Sequence, residues 1–421
     1  MSQKTSRGKL PQHAARNTAL LIQQAYLTAT TNRITRNPQY LDDERLPEGE
    51  RVAVLREIFH RNIRTKQIEC LARHISPLLG GIQPQNLLVY GPSGTGKSVT
   101  CLHFLSTLSE ICDQQSVPFR YFYVDPTTPK TCFGALNEMA ISVDGNTRRY
   151  RKKGMALDST CEMLIASMNR FQGYVCVVVD EVDNVTSDGD VFYTFLAKTL
   201  PKKVQPKLFY LFLTNSLVWE KNVDPRVFSV LKKMDMIFEP YDAVDLVAIL
   251  NLRVEKALDA AKVDPGAIHK IAAYASRETG DARKAVELLV KAVKVAESST
   301  GCVGESEVDQ ADRMLEVDKT EQMIGALAVQ QRVALQACYA GFRGERGSVS
   351  TGHAYRAYTG LCSREGCRAL TQRRFSDMVS FLDLYGLVNA RVISKGRYGK
   401  TRELSSSLPL EVVRRLLRED G

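Results

Sequence analysis

The sequence lacks any long hydrophobic run. Its uninterrupted apolar stretches are about as long as one β-strand, whereas a helix that crosses a bilayer needs ~20 apolar residues. A secretory signal pattern and an internal repeat are also missing. We therefore expect no membrane partner and no repeat array, and we expect a protein that stays inside the cell, in the cytoplasm.

Cysteines are not paired at the spacing of a metal or redox motif. The ten cysteines are scattered, no CxxC occurs, and several lie inside apolar runs, which is typical of buried, reduced thiols. Cys362 and Cys367, with His353 upstream, come nearest to a zinc-ligand pattern. Two cysteines without a second pair argue against a zinc site.

Acidic residues are absent from the first 37 positions, which contain six lysines or arginines. This composition resembles a transit peptide. We interpret it instead as a basic arm, partly disordered, with a short helix around residues 18–27.

The whole chain is basic and otherwise ordinary in composition. Its 421 residues carry a formal net charge of +10, with 44% hydrophobic and 25% charged residues. This length predicts two or three domains. The charge favours a polyanionic partner such as nucleic acid, although it can also serve solubility alone.

The most informative segment is NLLVYGPSGTGKS, residues 86–98, which fits the phosphate-binding pattern G-x-x-x-x-G-K-[ST]. Backbone N–H groups in such a loop point at phosphate oxygens, and glycine permits the close approach. Lys97 can reach the β- and γ-phosphates, and the Ser98 hydroxyl can bind Mg²⁺. The predicted nucleotide-binding residues of the loop are Gly91, Pro92, Ser93, Gly94, Thr95, Gly96, Lys97, Ser98 and Val99.

A second motif, YVCVVVDEVD at residues 174–183, is an apolar strand that ends in acids. An acid in this place can hold Mg²⁺, and its neighbour can polarise a water for attack on the γ-phosphate. Asp180 is therefore the predicted metal acid and Glu181 the predicted base. The two motifs together predict ATP or ADP and Mg²⁺ as cofactors.

Three polar residues further along the chain are candidates for sensing the nucleotide. Asn215 ends the strand KLFYLFLTN, where it can lie between the γ-phosphate and the attacking water; a turn residue is the alternative. Arg226 can project toward a neighbouring subunit's γ-phosphate, or it is a surface arginine. Arg283 begins a helix in GDARKA, from which it can reach the same phosphate, or it is a solvated first-turn arginine.

Strands and helices alternate from about residue 50 to 239, which predicts an α/β domain with a parallel sheet covered by helices on both faces. After Tyr241 the pattern is helical, with three amphipathic helices that start at Asp or Pro and stop at Gly. The predicted parts are an arm at 1–45, a nucleotide-binding α/β domain at 46–240, a helical lid at 241–300, a linker at 301–320 and a last domain at 321–421.

The last domain has the pattern of a winged helix. In TQRRFSDMVSFLDLYGL, Phe375, Met378, Val379 and Leu382 repeat at helical spacing and face the core. A strand, a glycine-containing turn and a second strand follow, and residues 371–402 hold seven Lys or Arg against two acids. The helix would enter the major groove and the wing would reach phosphates. The predicted DNA contacts are Arg373, Arg374, Ser376, Lys395, Arg397, Tyr398, Lys400 and Arg402. Winged helices also bind proteins, so that alternative stays open.

Together these motifs resemble the archaeal replication initiators, AAA+ relatives of the eukaryotic origin recognition complex and of cell division control protein 6. The resemblance runs from about residue 51 to the C-terminus and rests on GPSGTGKS, VVVDEVDN, LFLTNS, DPRVFS, IFEPYDAVDLVAIL, GDARKAVELL and the winged-helix segments. It implies a Walker B pair at Asp180 and Glu181, sensor 1 at Asn215, the box VII arginine at Arg226 and sensor 2 at Arg283. Tyr241 joins the nucleotide-binding set.

The resemblance also implies partners and a mode of action. Family members bind double-stranded origin DNA and recruit or load the replicative minichromosome maintenance helicase, together with other initiator subunits. ATP binding and slow hydrolysis would act as a switch. Residues 127–140 look like the initiator-specific helix that touches DNA in the family.

Two other classes of protein remain open. A nucleotide-regulated transcription regulator has the same fold and would bind promoters without recruiting a helicase. A clamp-loader-like ATPase would turn ATP over quickly on primed DNA. The basic wing argues against the second alternative, because clamp loaders end in a helical collar.

Overall fold

The chain folds into two units, Met1–Val308 and Asp309–Gly421, in a computed structural model. The structure describes residues 33–41, 54, 56–59, 61–125, 131–145, 156–185, 189–216, 218–231, 234–342, 347–394, 400–408 and 410–417. The helix expected at residues 18–27 lies outside these ranges. No helix in the described ranges is long and apolar enough to cross a membrane.

A five-stranded sheet, parallel throughout, forms the centre of the first unit. Its strands are β1 (Leu87–Tyr90), β2 (Phe119–Val124), β3 (Tyr174–Val179), β4 (Lys207–Thr214) and β5 (Met234–Ile237). The spatial order is β2-β3-β4-β1-β5. Strand β3 is buried along its whole length, as expected for an apolar run covered on both faces. The predicted parallel sheet is confirmed.

Helices cover both faces of this sheet. They are α1 (Thr65–Ile75), α2 (Lys97–Gln114), α3 (Cys132–Asp144), α4 (Leu157–Met168), α5 (Gly189–Thr194), α6 (Leu200–Lys203) and α7 (Pro225–Leu231), with a π-helical turn at Phe195–Thr199 between α5 and α6. Successive residues of β3 point to opposite faces of the sheet and belong to two different hydrophobic cores. Cys176 and Val178 pack with α1 and α2, whereas Val175 and Val177 pack with α3 and α4.

Three helices form the lid: α8 (Ala243–Ala257), α9 (Pro265–Glu278) and α10 (Ala282–Ser298). Each begins at an aspartate whose side chain accepts a hydrogen bond from a backbone N–H of the first turn, namely Asp242, Asp264 and Asp281. These caps satisfy N–H groups that have no partner within the helix. The predicted helical lid is confirmed.

Residues 33–41 pack against the lid. The backbone N–H groups of Ile34 and Thr35 both donate to Glu297 Oε1 at 2.8 Å, and Ile34 is fully buried. Arg36 pairs with Asp259 at 2.7 Å. This part of the expected arm therefore has a defined place on the lid.

The linker expected at residues 301–320 is helical over most of its length. Helix α11 spans Glu305–Gly325 and has Glu305 and Glu307 in its first turn, where carboxylates interact favourably with the helix dipole. The boundary between the two units, after Val308, lies within this helix.

The second unit is a winged helix. It contains α12 (Val329–Gly341), β6 (Ser348–Ser350), α13 (Thr351–Arg364), α14 (Gln372–Leu384), β7 (Val388–Ser394), β8 (Lys400–Ser406) and α15 (Leu410–Leu416). The strands form an antiparallel sheet in the order β6-β8-β7. Phe375, Val379 and Leu382 of α14 are buried, and Met378 packs against the same core half-buried. The predicted helical pattern of α14 and the two strands after it are confirmed. The glycine-containing turn expected between these strands lies outside the described residues.

Candidate nucleotide-binding and DNA-binding sites

A cavity of about 550 Å³ lies between the carboxyl ends of the central strands and the lid, a size typical of cofactor sites. Its walls include most of the residues predicted to bind and sense nucleotide: Ser93, Gly94, Gly96, Lys97, Ser98, Val99, Asp180, Glu181, Asn215, Tyr241 and Arg283. Apolar side chains of the lid, among them Ile249, Val286 and Val290, form another part of the wall. The cavity is thus polar at the loop and apolar toward the lid.

Lys97 is the centre of the polar part. Its Nζ donates to the carbonyl oxygens of Gly91 and Pro92 at 2.8 Å each and to Asn215 Oδ1 at 2.7 Å. Burial lowers the pKa of Lys97, and the negative charge of Asp180 opposes this shift. The ammonium group therefore lies inside the cavity, in contact with the candidate sensor 1.

Two glycines of the loop pack directly against the lid. Gly94 and Gly96 have φ of 74° and 79°, which favours glycine over residues with a Cβ. A Cβ on Gly94 would lie 1.7 Å from Asp281 Oδ1, and one on Gly96 would lie 2.2 Å from the Tyr241 hydroxyl. The close contact itself therefore demands glycine at both positions.

Asp180 accepts hydrogen bonds from three sides. The Ser98 hydroxyl donates to Oδ2, the Tyr123 hydroxyl donates to the same oxygen at 2.7 Å, and the backbone N–H of Glu181 donates to Oδ1 at 2.8 Å. Burial, followed by the charge of Asp180, raises the pKa of Tyr123, so this hydroxyl stays a neutral donor. The sequence analysis did not identify Tyr123, because nothing near it in the chain marks it as a site residue.

Glu181 and Asn215 face each other across the end of the sheet. Glu181 has φ of 42°, in the left-handed region that residues other than glycine rarely adopt. Its Oε2 accepts from Asn184 Nδ2 at 2.6 Å, and its Oε1 accepts from Asn215 Nδ2 at 3.5 Å. Asp183 Oδ1 in turn accepts from the Asn215 backbone N–H at 3.4 Å. Lys97, Asn215 and Glu181 thus form one connected chain of side chains.

The first turn of α10 meets the loop. Arg283 Nη1 donates to Ser93 Oγ at 3.2 Å, and the backbone N–H of Ala282 donates to the Gly94 carbonyl oxygen at 3.2 Å. The structure therefore places the candidate sensor 2 on the phosphate-binding loop itself.

Arg64 joins the loop to the junction between base and lid. It is buried, has φ of 62°, and donates from Nη2 to the carbonyl oxygens of Thr95 at 2.9 Å and Glu239 at 2.6 Å. Its guanidinium lies over the Tyr241 ring, 3.9 Å from the centroid. The sequence analysis missed this residue, because its partners are 31 and 175 positions away along the chain.

Arg226 does not line this cavity. It is exposed in the first turn of α7, where its backbone N–H donates to Asp224 Oδ1 at 2.8 Å. The predicted contact of Arg226 with a nucleotide would therefore have to be made in the cavity of a neighbouring subunit.

The residues present fit a magnesium nucleotide. Glycine N–H groups, Lys97 and Arg283 suit a triphosphate, and the oxygens of Ser98 and Asp180 are the hard ligands that Mg²⁺ prefers. Ser98 and Asp180 would hold the metal ion, and the apolar wall suits a nucleobase.

The predicted DNA contacts divide into three groups. Arg373 and Arg374 are exposed in the first turn of α14, whereas Ser376 is half-buried. Arg402 is also half-buried, and its Nη1 donates to the Ser380 hydroxyl and to the Ser376 carbonyl oxygen. Arg402 therefore ties strand β8 to α14. Lys395, Arg397 and Tyr398 lie outside the described residues, and Lys400 is described only as the first residue of β8.

The expected initiator-specific helix at residues 127–140 is described from Thr131 onward. Helix α3 begins at Cys132, and every residue from 131 to 140 is buried or half-buried. This helix packs into the core because its apolar residues face the sheet. The described part of the stretch therefore presents only partly exposed side chains, and its contact with DNA stays a prediction.

Comparison with known proteins gives matches along most of the chain. Three family models match successive parts: the AAA domain over residues 82–214, the Cdc6 AAA+ ATPase-type lid domain over 247–313, and the CDC6, C terminal winged helix domain over 322–415.

Individual relatives extend these matches. An ORC1-type DNA replication protein of Pyrococcus furiosus is 34% identical over 362 residues, covering 85% of this chain and 86% of the relative. One from Thermococcus onnurineus is 33% identical over 378 residues, covering 87% and 88%. The solved structure of the Aeropyrum pernix ORC1 protein in complex with DNA is similar with a TM-score of 0.69 and 30% identity, over 92% of this chain and 97% of that one.

Proposed function

The chain belongs to the ORC1/Cdc6 family of DNA replication proteins, and from this membership we propose that it is an ATP-dependent replication initiator. It binds double-stranded origin DNA and helps to recruit or load the replicative minichromosome maintenance helicase, together with other initiator subunits. It acts in the cytoplasm, at the nucleoid. ATP binding and slow hydrolysis switch it between states.

The connected chain from Lys97 through Asn215 to Glu181 is the observation that carries the ATPase part of this proposal. It joins the residue that would contact the phosphates to the candidate base. Arg283, placed on the loop by its bond to Ser93, would report the same phosphate to the lid. Family members with this arrangement of motifs are AAA+ ATPases.

A magnesium nucleotide bound there would supply a cleavable phosphoanhydride bond, and its metal ion would neutralise charge on the phosphate oxygens. Glu181 Oε1 would accept the proton from water, and Asn215 would orient that water. Both oxygens of Glu181 already accept hydrogen bonds from asparagines, so water competes for them. That competition supports slow turnover.

Two exposed arginines support the DNA-binding part of the proposal. Arg373 and Arg374 lie in the first turn of α14, the part of a winged-helix recognition helix that reaches into the major groove. Arg402 would act on DNA through α14, since it holds Ser376 and Ser380.

DNA affinity of the double variant Arg373→Ala/Arg374→Ala tests this face. We expect affinity to fall by about 1–3 kcal/mol per residue and the salt dependence of binding to weaken. Arg364→Ala is the matched control, because Arg364 is exposed on a different helix of the same unit. Equal affinities of the double variant and the control would refute the assignment.

Mapping the DNA bound in cells, compared with replication start sites, tests the initiator role. Binding concentrated at start sites is the expected result. Binding spread over promoters away from any start site would instead identify a nucleotide-controlled transcription regulator.

A further inference from the structure

Helix α13 ends in a turn that brings two cysteines together. The backbone N–H of Cys367 donates to the Cys362 carbonyl oxygen at 3.0 Å, and Gly366 between them has φ of 65°. This is the long hydrogen bond of the Schellman motif, in which the side chains of the two joined residues frequently contact each other. Cys362 and Cys367 occupy those two positions.

The next helix shows what usually fills these positions. At the end of α14, the backbone N–H of Leu387 donates to the Leu382 carbonyl oxygen at 2.9 Å, and Gly386 has φ of 68°. Leu382 and Leu387 are both buried. Two cysteines at the end of α13 therefore occupy the positions that two leucines occupy at the end of α14.

The two thiols differ in their access to solvent. Cys362 is buried, whereas Cys367 is half-exposed. The Cys362 thiol contacts Cys367 and Tyr358, and burial raises its pKa. An oxidant in solution therefore meets Cys367 first, with Cys362 next to it as the resolving thiol.

We propose that Cys362 and Cys367 form a redox-modification site that a low-molecular-weight disulfide converts into an intramolecular disulfide. The Cys367 thiolate attacks one sulfur of the small disulfide, which forms a mixed disulfide and releases one small thiolate. Cys362 then loses its proton to solvent and attacks the Cys367 sulfur, which releases the second small thiolate. The protein loses two electrons and two protons, and the small disulfide becomes two thiols.

This site lies at the entry to α14. The chain between Cys367 and the helix is held by Gln330 Nε2, which donates to the Arg368 carbonyl oxygen at 3.1 Å, and by the Tyr355 hydroxyl, which donates to the Leu370 carbonyl oxygen at 3.0 Å. The disulfide would fix the other end of the same short segment. It would thereby limit the positions available to the first turn of α14.

The test exposes the full-length protein to a series of ratios of reduced to oxidised glutathione, blocks free thiols by alkylation, and digests with trypsin without reductant. Arg364 lies between the two cysteines, so cleavage yields the separate peptides AYTGLCSR (357–364) and EGCR (365–368). We expect these two to appear joined by a disulfide in the oxidised samples and to separate after reduction. Cys302→Ser, which removes an exposed cysteine elsewhere, should leave the joined pair unchanged.

Two variants keep the proposal falsifiable. Cys367→Ser should abolish the joined pair. Cys362→Ala should leave Cys367 as a stable glutathione adduct, at least about tenfold more abundant than in the unaltered protein, because the resolving thiol is gone. An adduct on Cys367 of the unaltered protein that persists without the joined pair would overturn the proposal. So would a Cys367 that stays reduced while Cys302 is already modified.

Discussion

Replacing Arg64 with methionine should lower the stability of the nucleotide-binding unit more than the same replacement of a surface arginine. The change keeps much of the side-chain volume but removes a guanidinium that contacts the loop, the segment after β5 and the Tyr241 ring. A hydrogen bond to a charged donor contributes about 1.5–3 kcal/mol, and the cation–π contact contributes about 0.5–2 kcal/mol. Two such hydrogen bonds and the ring contact sum to about 3.5–8 kcal/mol. The buried Arg64 Nε has no hydrogen-bond partner among the described residues, and removing it offsets part of this sum, so we expect a loss of about 3–5 kcal/mol in the free energy of unfolding of this unit.

The same change should reduce nucleotide affinity. Arg64 holds the carbonyl group of Thr95 and the ring of Tyr241, whose hydroxyl lies against Gly96. Without this contact the loop must be ordered at the expense of binding energy. A loss of about 1.4 kcal/mol corresponds to tenfold weaker binding, and we expect at least that.

Urea unfolding followed by circular dichroism, and titration with a fluorescent ATP analogue, measure the two effects. Arg61→Met is the matched control, since Arg61 lies three residues earlier and makes an exposed ion pair with Glu255 at 2.7 Å. Such a pair contributes about 0–1 kcal/mol. If Arg64→Met and Arg61→Met unfold within about 1 kcal/mol of each other, or if both bind the analogue equally well, the reasoning about Arg64 is wrong.

Other substitutions test single contacts of the site. Glu181→Gln should keep ATP binding and lose hydrolysis; normal turnover in a single-turnover assay would assign the base to another residue. Gly94→Ala should lower nucleotide affinity and thermal stability together, since its methyl group would overlap Asp281; an unchanged melting temperature would contradict this. Tyr123→Phe should raise the Mg²⁺ concentration needed for half-maximal ATP binding several-fold, because Asp180 loses a donor. An unaltered magnesium titration would remove Tyr123 from the site.

Much of the fold follows from patterns within single segments. The buried runs of β3 and β4, the aspartates that begin the lid helices and the apolar spacing in α14 each specify an element without reference to the rest of the chain. Strand β5 is the exception. Only Met236 of its four residues is buried, so neither an apolar run nor a clear alternation marks it, and its pairing with β1 decides its conformation.

The residues of the nucleotide site likewise divide into those that the sequence predicts and those that it does not. The loop and Asp180 could be predicted because phosphate and metal chemistry fixes residue types at short spacings. Tyr123 and Arg64 could not, because their roles depend on the order of the strands. Val124 pairs with Val179, and that register alone brings Tyr123 beside Asp180.

The contact between Gly94 and the start of α10 has an evolutionary consequence. Gly94, Asp281 and Ala282 are joined by one backbone hydrogen bond and one steric contact without spare room, although they are almost two hundred positions apart. A mutation that adds a side chain at residue 94 meets the Asp281 carboxylate. A substitution at residue 94 therefore requires that Asp281 move or change as well, so the mutations open to the phosphate-binding loop at this point depend on the residue that begins α10.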